Sequence, residues 1–153
     1  NRFNDPHDAA VKVLAQGMID VGLLDANKVG GLQDVIEKRA YSPFYMHRTS
    51  HWLGMDVHDC GSYIEPSEAH IVNEKIDPIT KQTLKVRPSR ILREGMVLTL
   101  EPGIYVRPAA GVPERYHNIG IRIEDDALVT STGCELLSRG VPVRADEIEA
   151  LMR

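Results

Sequence analysis

Three of the six histidines in this chain fall within twelve residues, at His47, His51 and His58. Imidazole is the usual neutral nitrogen ligand for a divalent metal and the usual proton carrier near neutral pH. His47 and His51 are four residues apart, which places them on one face of either a helix or a strand. Three unrelated surface or hydrogen-bonded histidines are the alternative, and the cluster alone does not decide between the two interpretations.

Two glutamates are further candidates for chemistry. Glu101 ends an apolar strand and precedes Pro102, so it is either the first solvated residue of a turn, which the local sequence favours, or an inward-pointing ligand. Strand alternation directs Arg122 and Glu124 to the same side, away from the neighbouring isoleucines. That side is either a solvent face with a cross-strand ion pair, which the local sequence again favours, or a site face that holds a carboxylate beside a cation.

Taken together, these segments offer one or two histidines and two glutamates at strand ends. Nitrogen and carboxylate oxygen without thiolate suit Mn, Co, Fe or Zn in hydrolytic chemistry. A carboxylate that bridges two such ions is a common device for activating water between them. These residue types are compatible with a metal-dependent hydrolase, but no single segment is decisive.

The elements that must position these groups are helices followed by strands. Asn4 and Pro6 predict a capped helix start, and Gly22 predicts its end. A second, weaker helical pattern ends before Pro43. The helical spacing is carried by Val11, Leu14, Ala15 and Met18 in the first helix and by Leu32, Val35, Ile36 and Arg39 in the second pattern.

The second part of the chain predicts an antiparallel sheet. Residues 63–89 are polar and lack periodicity, which predicts a long loop with a small hairpin. Strands are predicted at 96–100, 103–106, 119–130 and 135–137, and a closing helix at 146–152. This order predicts one α+β domain over residues 1–153.

Composition excludes several classes of function. The chain has 153 residues, 42% of them hydrophobic and 26% charged, with a net charge of −4, which is not the signature of a nucleic-acid or anionic-membrane partner. No apolar run reaches the length of a membrane span. Cys60 and Cys134 do not suggest a disulfide framework, so a reducing cytoplasm is expected. The chain begins at Asn1 without a methionine, and we expect it to be part of a larger protein.

Three ordered motifs resemble a known family. Residues 50–59, 95–105 and 120–126 resemble the C-terminal half of Xaa-Pro aminopeptidases, metallopeptidases of the pita-bread fold, and prolidase shares much of the pattern. The resemblance extends over nearly the whole chain. It implies the C-terminal half of a pita-bread catalytic domain, with Mn as the usual metal and two ions in a complete site. The implied reaction releases the N-terminal residue from peptides with proline in second position.

The resemblance also implies roles for single residues. His51, Glu101 and Glu124 would bind metal, with Glu124 bridging two ions. Glu101 would in addition handle the proton of the attacking water, and His58 would donate a hydrogen bond to the scissile carbonyl. The residues implied to line the substrate pocket or its polar network are His47, Arg122 and Tyr105.

The departures from the family pattern lead to two expectations. The family completes its metal site with two aspartates about ten residues apart on an earlier hairpin, and no such pair occurs here. We therefore expect this chain alone to be inactive, because metal ligands act as a set. Half of a pita-bread fold would also expose apolar surface, so we expect a homo-oligomer. Arg48 replaces a usual glycine and could crowd the pocket, and the segment 63–89 is longer than the family pattern.

Three alternatives remain open. The first is a prolidase that cleaves Xaa-Pro dipeptides. The second is a non-catalytic pita-bread module used for binding, although such a module has no need of these histidines, glutamates and arginine together. The third is an α+β domain with scattered histidines, which three motifs in the right order disfavour.

Overall fold

Three helices form the first part of the chain in the computed structural model, which describes residues 1–153. They are α1 (Asp5–Asp20), α2 (Ala26–Val29) and α3 (Leu32–Glu37). The predicted first and second helices are confirmed as α1 and α3. The short α2 was not predicted; it begins at Asp25, whose side chain accepts a hydrogen bond from the backbone N–H of Asn27.

The expected side-chain cap at Asn4 is wrong. Asn4 has a helical backbone conformation (φ −83°, ψ −18°) instead of the extended conformation of a capping residue, and its side chain makes no cap hydrogen bond. Its side-chain oxygen accepts from the guanidinium of Arg48 instead. Pro6 lies in the first turn as predicted, and Gly22, just past the helix end, has a positive φ of 72° that favours glycine.

Seven strands follow in three antiparallel groups. They are β1 (Asn73–Ile76), β2 (Thr83–Val86), β3 (Val97–Leu100), β4 (Gly103–Val106), β5 (Ile119–Arg122), β6 (Asp125–Thr130) and β7 (Gly133–Leu136). β1 pairs with β2, β4 pairs with β5, and β6 lies between β3 and β7. The chain closes with helix α4 (Ala145–Leu151).

The segment predicted as one strand over residues 119–130 is two strands in different sheets. β5 pairs with β4, with Arg122 opposite Gly103, whereas β6 pairs with β3, with Asp125 opposite Leu100. The chain changes partner at residues 123–124 because β3 and β4 are themselves separated by the Glu101-Pro102 break. The break between β3 and β4 therefore lies beside the break between β5 and β6. The first break contains Glu101 and the second contains Glu124.

The predicted hairpin in residues 63–89 is confirmed as β1 and β2. All eight of its strand residues are exposed. The two ends of the segment lie side by side, because Ile64 and Ser89 form an antiparallel β-bridge. Its far end is tied by an ion pair between Arg39 Nη1 and Asp77 Oδ2 at 2.9 Å. Arg39 was assigned to the second helical pattern, but α3 ends at Glu37 and Arg39 has a positive φ of 54°.

The core lies between the helices and the segment that carries the histidines. Apolar side chains of α1 and α3 pack there against the aromatic residues that precede His47. The buried residues of this core are Val11, Ala15, Met18, Leu23, Leu24, Val35, Tyr41, Phe44, Tyr45 and Val106. A smaller cluster joins Phe3, Leu98 and Ala127. None of the helices combines the length and the apolar character needed to cross a bilayer.

Candidate metal centre

Residues 49–52 lie along β3 and bring the histidine segment to the strand end. The Glu101 backbone N–H donates to the Thr49 carbonyl at 2.7 Å, and the Thr99 N–H donates to the His51 carbonyl at 3.0 Å. This antiparallel pairing aligns residues about fifty positions apart in the chain. The side chains of His51 and Glu101 consequently meet at the end of β3.

Hydrogen bonds fix the orientation of His51. Its Nδ1 is 2.9 Å from the carbonyl oxygen of Trp52, and a carbonyl only accepts, so Nδ1 carries a proton. In the neutral ring Nε2 therefore presents a lone pair, and this atom lies 3.2 Å from Glu101 Oε1. A ring nitrogen held to a backbone carbonyl while the other faces outward is the usual arrangement of a metal-binding histidine.

Glu101 is buried, with 8% of its surface exposed. Thr99 Oγ1 donates to its Oε1 at 3.0 Å, and Arg122 Nη1 donates to its Oε2 at 3.1 Å. The interpretation of Glu101 as the first solvated residue of a turn is therefore wrong. On its remaining side Oε1 faces the lone pair of His51 Nε2, and two acceptors at this distance need a cation or a proton between them.

Glu124 completes the cluster from the break between β5 and β6. Ligand atoms of His51, Glu101 and Glu124 all lie within 4.8 Å of one another. His51 and Glu101 are buried and Glu124 is exposed, so the cluster opens to solvent on one side. One imidazole nitrogen and two carboxylates, without thiolate, form a donor set that fits a divalent metal.

A chain of hydrogen bonds runs outward from Glu101. Arg122 Nε donates to Tyr105 Oη at 2.7 Å, and Tyr105 Oη is 3.2 Å from His47 Nε2. His47 Nδ1 is 2.7 Å from the carbonyl of Arg48 and so carries a proton, which leaves Nε2 of the neutral ring to accept from Tyr105. The bond to Tyr105 and the nearby carboxylates raise the pKa of Arg122 above its usual value, so the guanidinium stays charged.

His58 stacks edge-on against the ring of His51, with ring centroids 4.3 Å apart. It is carried by a tight turn that begins at Gly54, where a Cβ would come within 2.4 Å of the His58 carbonyl oxygen. Only glycine fits this close approach. His58 is exposed beside the cluster.

The structure thus brings all seven candidate residues into one region. Arg122 and Glu124 do face the same side, but Arg122 pairs with Glu101 and not with Glu124. No aspartate belongs to the metal-binding cluster. Arg48, which was expected to crowd the pocket, donates a hydrogen bond to the side-chain oxygen of Asn4 at the start of α1.

Sequence reasoning overlooked Thr99, whose hydroxyl accepts from the His51 N–H at 3.1 Å and donates to Glu101. Its position two residues before Glu101 on a strand places both side chains on one face, so alternation could have found it. The carbonyl of Trp52, which holds His51 Nδ1, leaves no side-chain signal in the sequence.

This fold and cluster define an α+β protein with a candidate divalent-metal site. The chain belongs to metallopeptidase family M24, whose profile matches residues 1–131. It is 43% identical over 142 residues to the Xaa-Pro aminopeptidase of Escherichia coli (strain K12), covering 93% of this chain and 26% of that protein. It is 40% identical over 152 residues to the Xaa-Pro aminopeptidase of Haemophilus influenzae, covering 99% of this chain and 30% of that protein.

A solved structure shows the same architecture. The Pseudomonas aeruginosa aminopeptidase PepP superposes with a TM-score of 0.76 at 41% identity, over 99% of this chain and 29% of that one. The expected α+β fold, the C-terminal half of the pita-bread fold, is confirmed. The chain spans between a quarter and a third of the length of these relatives.

Proposed function

We propose that the protein is a Xaa-Pro aminopeptidase, which releases the N-terminal residue from peptides with proline in second position. The observation that carries the proposal is the approach of His51 Nε2 to Glu101 Oε1 at 3.2 Å, with Glu124 beside them. The similarity to two Xaa-Pro aminopeptidases supports the substrate class. A bound divalent ion would supply Lewis acidity and lower the pKa of a water molecule.

In this proposal each side chain has a role that its contacts allow. His51, Glu101 and Glu124 would hold the metal. Glu101 also accepts the proton of the attacking water, because the hydrogen bonds of Thr99 and Arg122 fix its carboxylate in one orientation. Fixed orientation matters because small misplacements of a proton acceptor cost rate.

The remaining groups act on the substrate. His58 is exposed beside His51 and donates to the scissile carbonyl, which stabilises the negative charge that develops on its oxygen. His47 lines the pocket around the proline residue, and Tyr105 and Arg122 form the polar network that connects His47 to Glu101.

We propose Mn as the metal and the cytoplasm as the compartment. Nitrogen and carboxylate ligands without thiolate suit Mn, although Co, Fe and Zn share this preference. Cys60 and Cys134 are both exposed and unpaired, which fits a reducing compartment. Metal analysis of the full-length gene product purified without added metal tests the first point, and Zn in place of Mn would contradict it.

Three donors on this chain are too few for two ions, so we propose that the chain of 153 residues does not hydrolyse peptides alone. The cluster contains one histidine and two glutamates and no aspartate. Incubation of the purified chain with an Xaa-Pro-Xaa peptide and Mn²⁺ is expected to release no free N-terminal residue. Robust Mn-dependent release would contradict this proposal.

We also propose that the chain alone forms a homo-oligomer. An apolar groove lies on the side of β5 opposite Arg122, where Ile119, Ile121 and Ile123 are exposed next to Leu14 and Val21 of the α1 region. Exposed apolar surface of this kind favours association. Light scattering at high protein concentration is expected to give a multiple of the 17.1 kDa chain mass, and a monomeric mass would contradict the proposal.

One assay on the full-length gene product separates the candidate functions. An Xaa-Pro aminopeptidase cleaves Xaa-Pro-Xaa tripeptides and longer peptides, whereas a prolidase cleaves only Xaa-Pro dipeptides. We expect cleavage of the longer peptides and its loss in Glu101→Gln. Cleavage of dipeptides alone would favour a prolidase, and metal binding without any hydrolysis would favour a non-catalytic binding module.

A further inference from the structure

His7 is a histidine of α1 that the proposed mechanism does not use. Its ring lies half-buried on the first turn of the helix, with its centroid 5.7 Å from that of Tyr45. Its Nδ1 is 2.8 Å from Thr49 Oγ1, and the same hydroxyl is hydrogen-bonded to Tyr45 Oη. Thr49 is almost fully buried, with 2% of its surface exposed. Three polar side chains therefore meet at one point beneath the histidine segment.

The protonation states of His7 and Tyr45 determine which group donates in each of these hydrogen bonds. Burial, helped by the positive charge of Arg48 and by His47 and Arg39, lowers the pKa of His7 to about 4, so its ring is neutral at pH 7. Burial also raises the pKa of Tyr45, which keeps its proton. An ordered arrangement satisfies every group: Tyr45 donates to Thr49, and Thr49 donates to the unprotonated Nδ1 of His7.

Thr49 connects this contact to the metal centre. Its backbone carbonyl accepts from the Glu101 N–H at 2.7 Å, and it lies two residues before His51. Tyr45 continues the connection on the other side, because its ring meets His47 edge-on at a centroid distance of 5.1 Å. The segment that supplies both histidines is thus held from α1 at two points.

We propose that His7 is a positioning residue of the metal centre. Through Thr49 and Tyr45 it fixes residues 45–51 against β3, and so sets the placement of His51 and His47. Its own hydrogen bond goes to Thr49, so it acts on the metal ligands and on the substrate-binding side chains only through that segment. The effect on catalysis rests on the proposed aminopeptidase function, whereas the effect on metal affinity does not.

The test compares two substitutions in the full-length gene product. His7→Phe keeps the ring volume but removes the acceptor, which leaves the Thr49 hydroxyl buried without it. His7→Asn places a side-chain oxygen near the former Nδ1 position and keeps an acceptor. Loss of a partner that orients metal ligands commonly costs about 10–100-fold in metal affinity or activity. We expect His7→Phe to weaken Mn²⁺ affinity at least about tenfold and to raise KM more than it lowers kcat, and His7→Asn to restore most of both.

The controls keep the outcome interpretable. His70→Phe alters an exposed histidine of the segment 63–89 and is expected to leave the Mn²⁺ Kd and the kinetics unchanged. Thr49→Val removes the same hydrogen bond from the other partner and serves if His7→Phe does not fold; it is expected to show the same loss. Native Mn²⁺ affinity in His7→Phe or in Thr49→Val would overturn the proposal, as would equal losses in His7→Phe and His7→Asn. A wild-type protein that binds Mn²⁺ but cleaves no Xaa-Pro peptide would refute the aminopeptidase function and leave the affinity comparison valid.

Discussion

Two buried glutamates, Glu65 and Glu101, differ in their surroundings: those of Glu65 suit a structural role, and those of Glu101 suit the proposed metal ligand. Both are nearly inaccessible, with 2% and 8% of their surface exposed, and each pairs with an arginine. Glu65 stands at the base of the segment 63–89, and Glu101 stands at the end of β3. In the sequence each precedes a proline, so local sequence does not distinguish them.

Glu65 is surrounded only by donors. It accepts from the Ile91 N–H at 2.9 Å, from Arg93 Nη2 at 3.0 Å and from Ser67 Oγ at 3.0 Å. The bonds from Arg93 and the Ile91 N–H lower the pKa of Glu65 to about 2. A carboxylate in this state has no free lone pair aimed at a vacant position, and its role is to hold the base of the segment 63–89 to the fold.

Glu101 has two donors and one neighbouring acceptor. Thr99 and Arg122 donate to it, but the lone pair of His51 Nε2 faces it at 3.2 Å. A buried carboxylate beside an unprotonated nitrogen is unfavourable unless a cation or a proton lies between them. The close approach of His51 Nε2 therefore distinguishes the proposed metal ligand Glu101 from Glu65, whereas burial and an arginine partner do not.

The largest expected effect comes from Glu101→Gln. The amide keeps the shape but replaces one acceptor with a donor that can bond to His51 Nε2. We expect Mn²⁺ affinity and peptidase activity of the full-length gene product to fall by more than about a hundredfold. This exceeds the loss that is typical when a residue that only orients a metal ligand is replaced. The Tm measured without metal should change little. Calorimetry and thermal unfolding measure the two quantities, and retained metal affinity would contradict the role given to Glu101.

A smaller effect is expected from Arg122→Lys. Arg122 bonds Glu101 through Nη1 and Tyr105 through Nε at the same time, and a lysine ammonium does not reproduce this planar fork. We expect a loss of about 10–100-fold in kcat/KM. Arg93→Lys is the matched control, because it alters the arginine of Glu65; it should lower Tm without changing kcat/KM. Equal kinetic losses in both variants would remove the distinction between the two glutamates.

Glu65→Gln is expected to leave Mn²⁺ affinity nearly unchanged. It is expected to lower the free energy of unfolding. The folded-state pKa of Glu65 lies near 2, below its usual value of 4.5, so its contribution is present above pH 4.5 and is lost as the pH falls toward 2. The free energy of unfolding of the wild type, measured with denaturant, should fall as the pH decreases through this window. In Glu65→Gln it should start lower and fall less steeply. Parallel pH profiles for the two proteins, or a weaker Mn²⁺ affinity in the variant, would contradict the structural role of Glu65.

The sequence alone predicted the elements that have a clear hydrophobic periodicity or lie in a distinctly polar segment. The apolar spacing of Val11, Ala15 and Met18 predicted α1, and the polar stretch before Ser89 predicted the hairpin. Alternation predicted that Arg122 and Glu124 share a side. The short α2 lacks an apolar stripe, and the division between β5 and β6 depends on which strand each half pairs with, which is a tertiary property.

The candidate site was predicted by resemblance and not by local sequence. Local sequence favoured a solvated turn at Glu101, and its burial depends on pairing with residues about fifty positions earlier. Contacts through the backbone, such as the Trp52 carbonyl on His51, carry no residue-type signal. His7 lies in a helix more than forty residues before its partner Thr49, and nothing in its local sequence marks it.

The most direct test of the metal centre is a calorimetric titration of this chain with Mn²⁺, alongside His51→Ala and Glu65→Gln. We expect the wild-type chain to bind one ion weakly, Glu65→Gln to bind it equally, and His51→Ala to lose it. Unchanged binding in His51→Ala would contradict the assignment of His51, Glu101 and Glu124 as the metal ligands. Tight binding of two ions by the wild-type chain would show that other carboxylates complete the site and that three donors are not its full set.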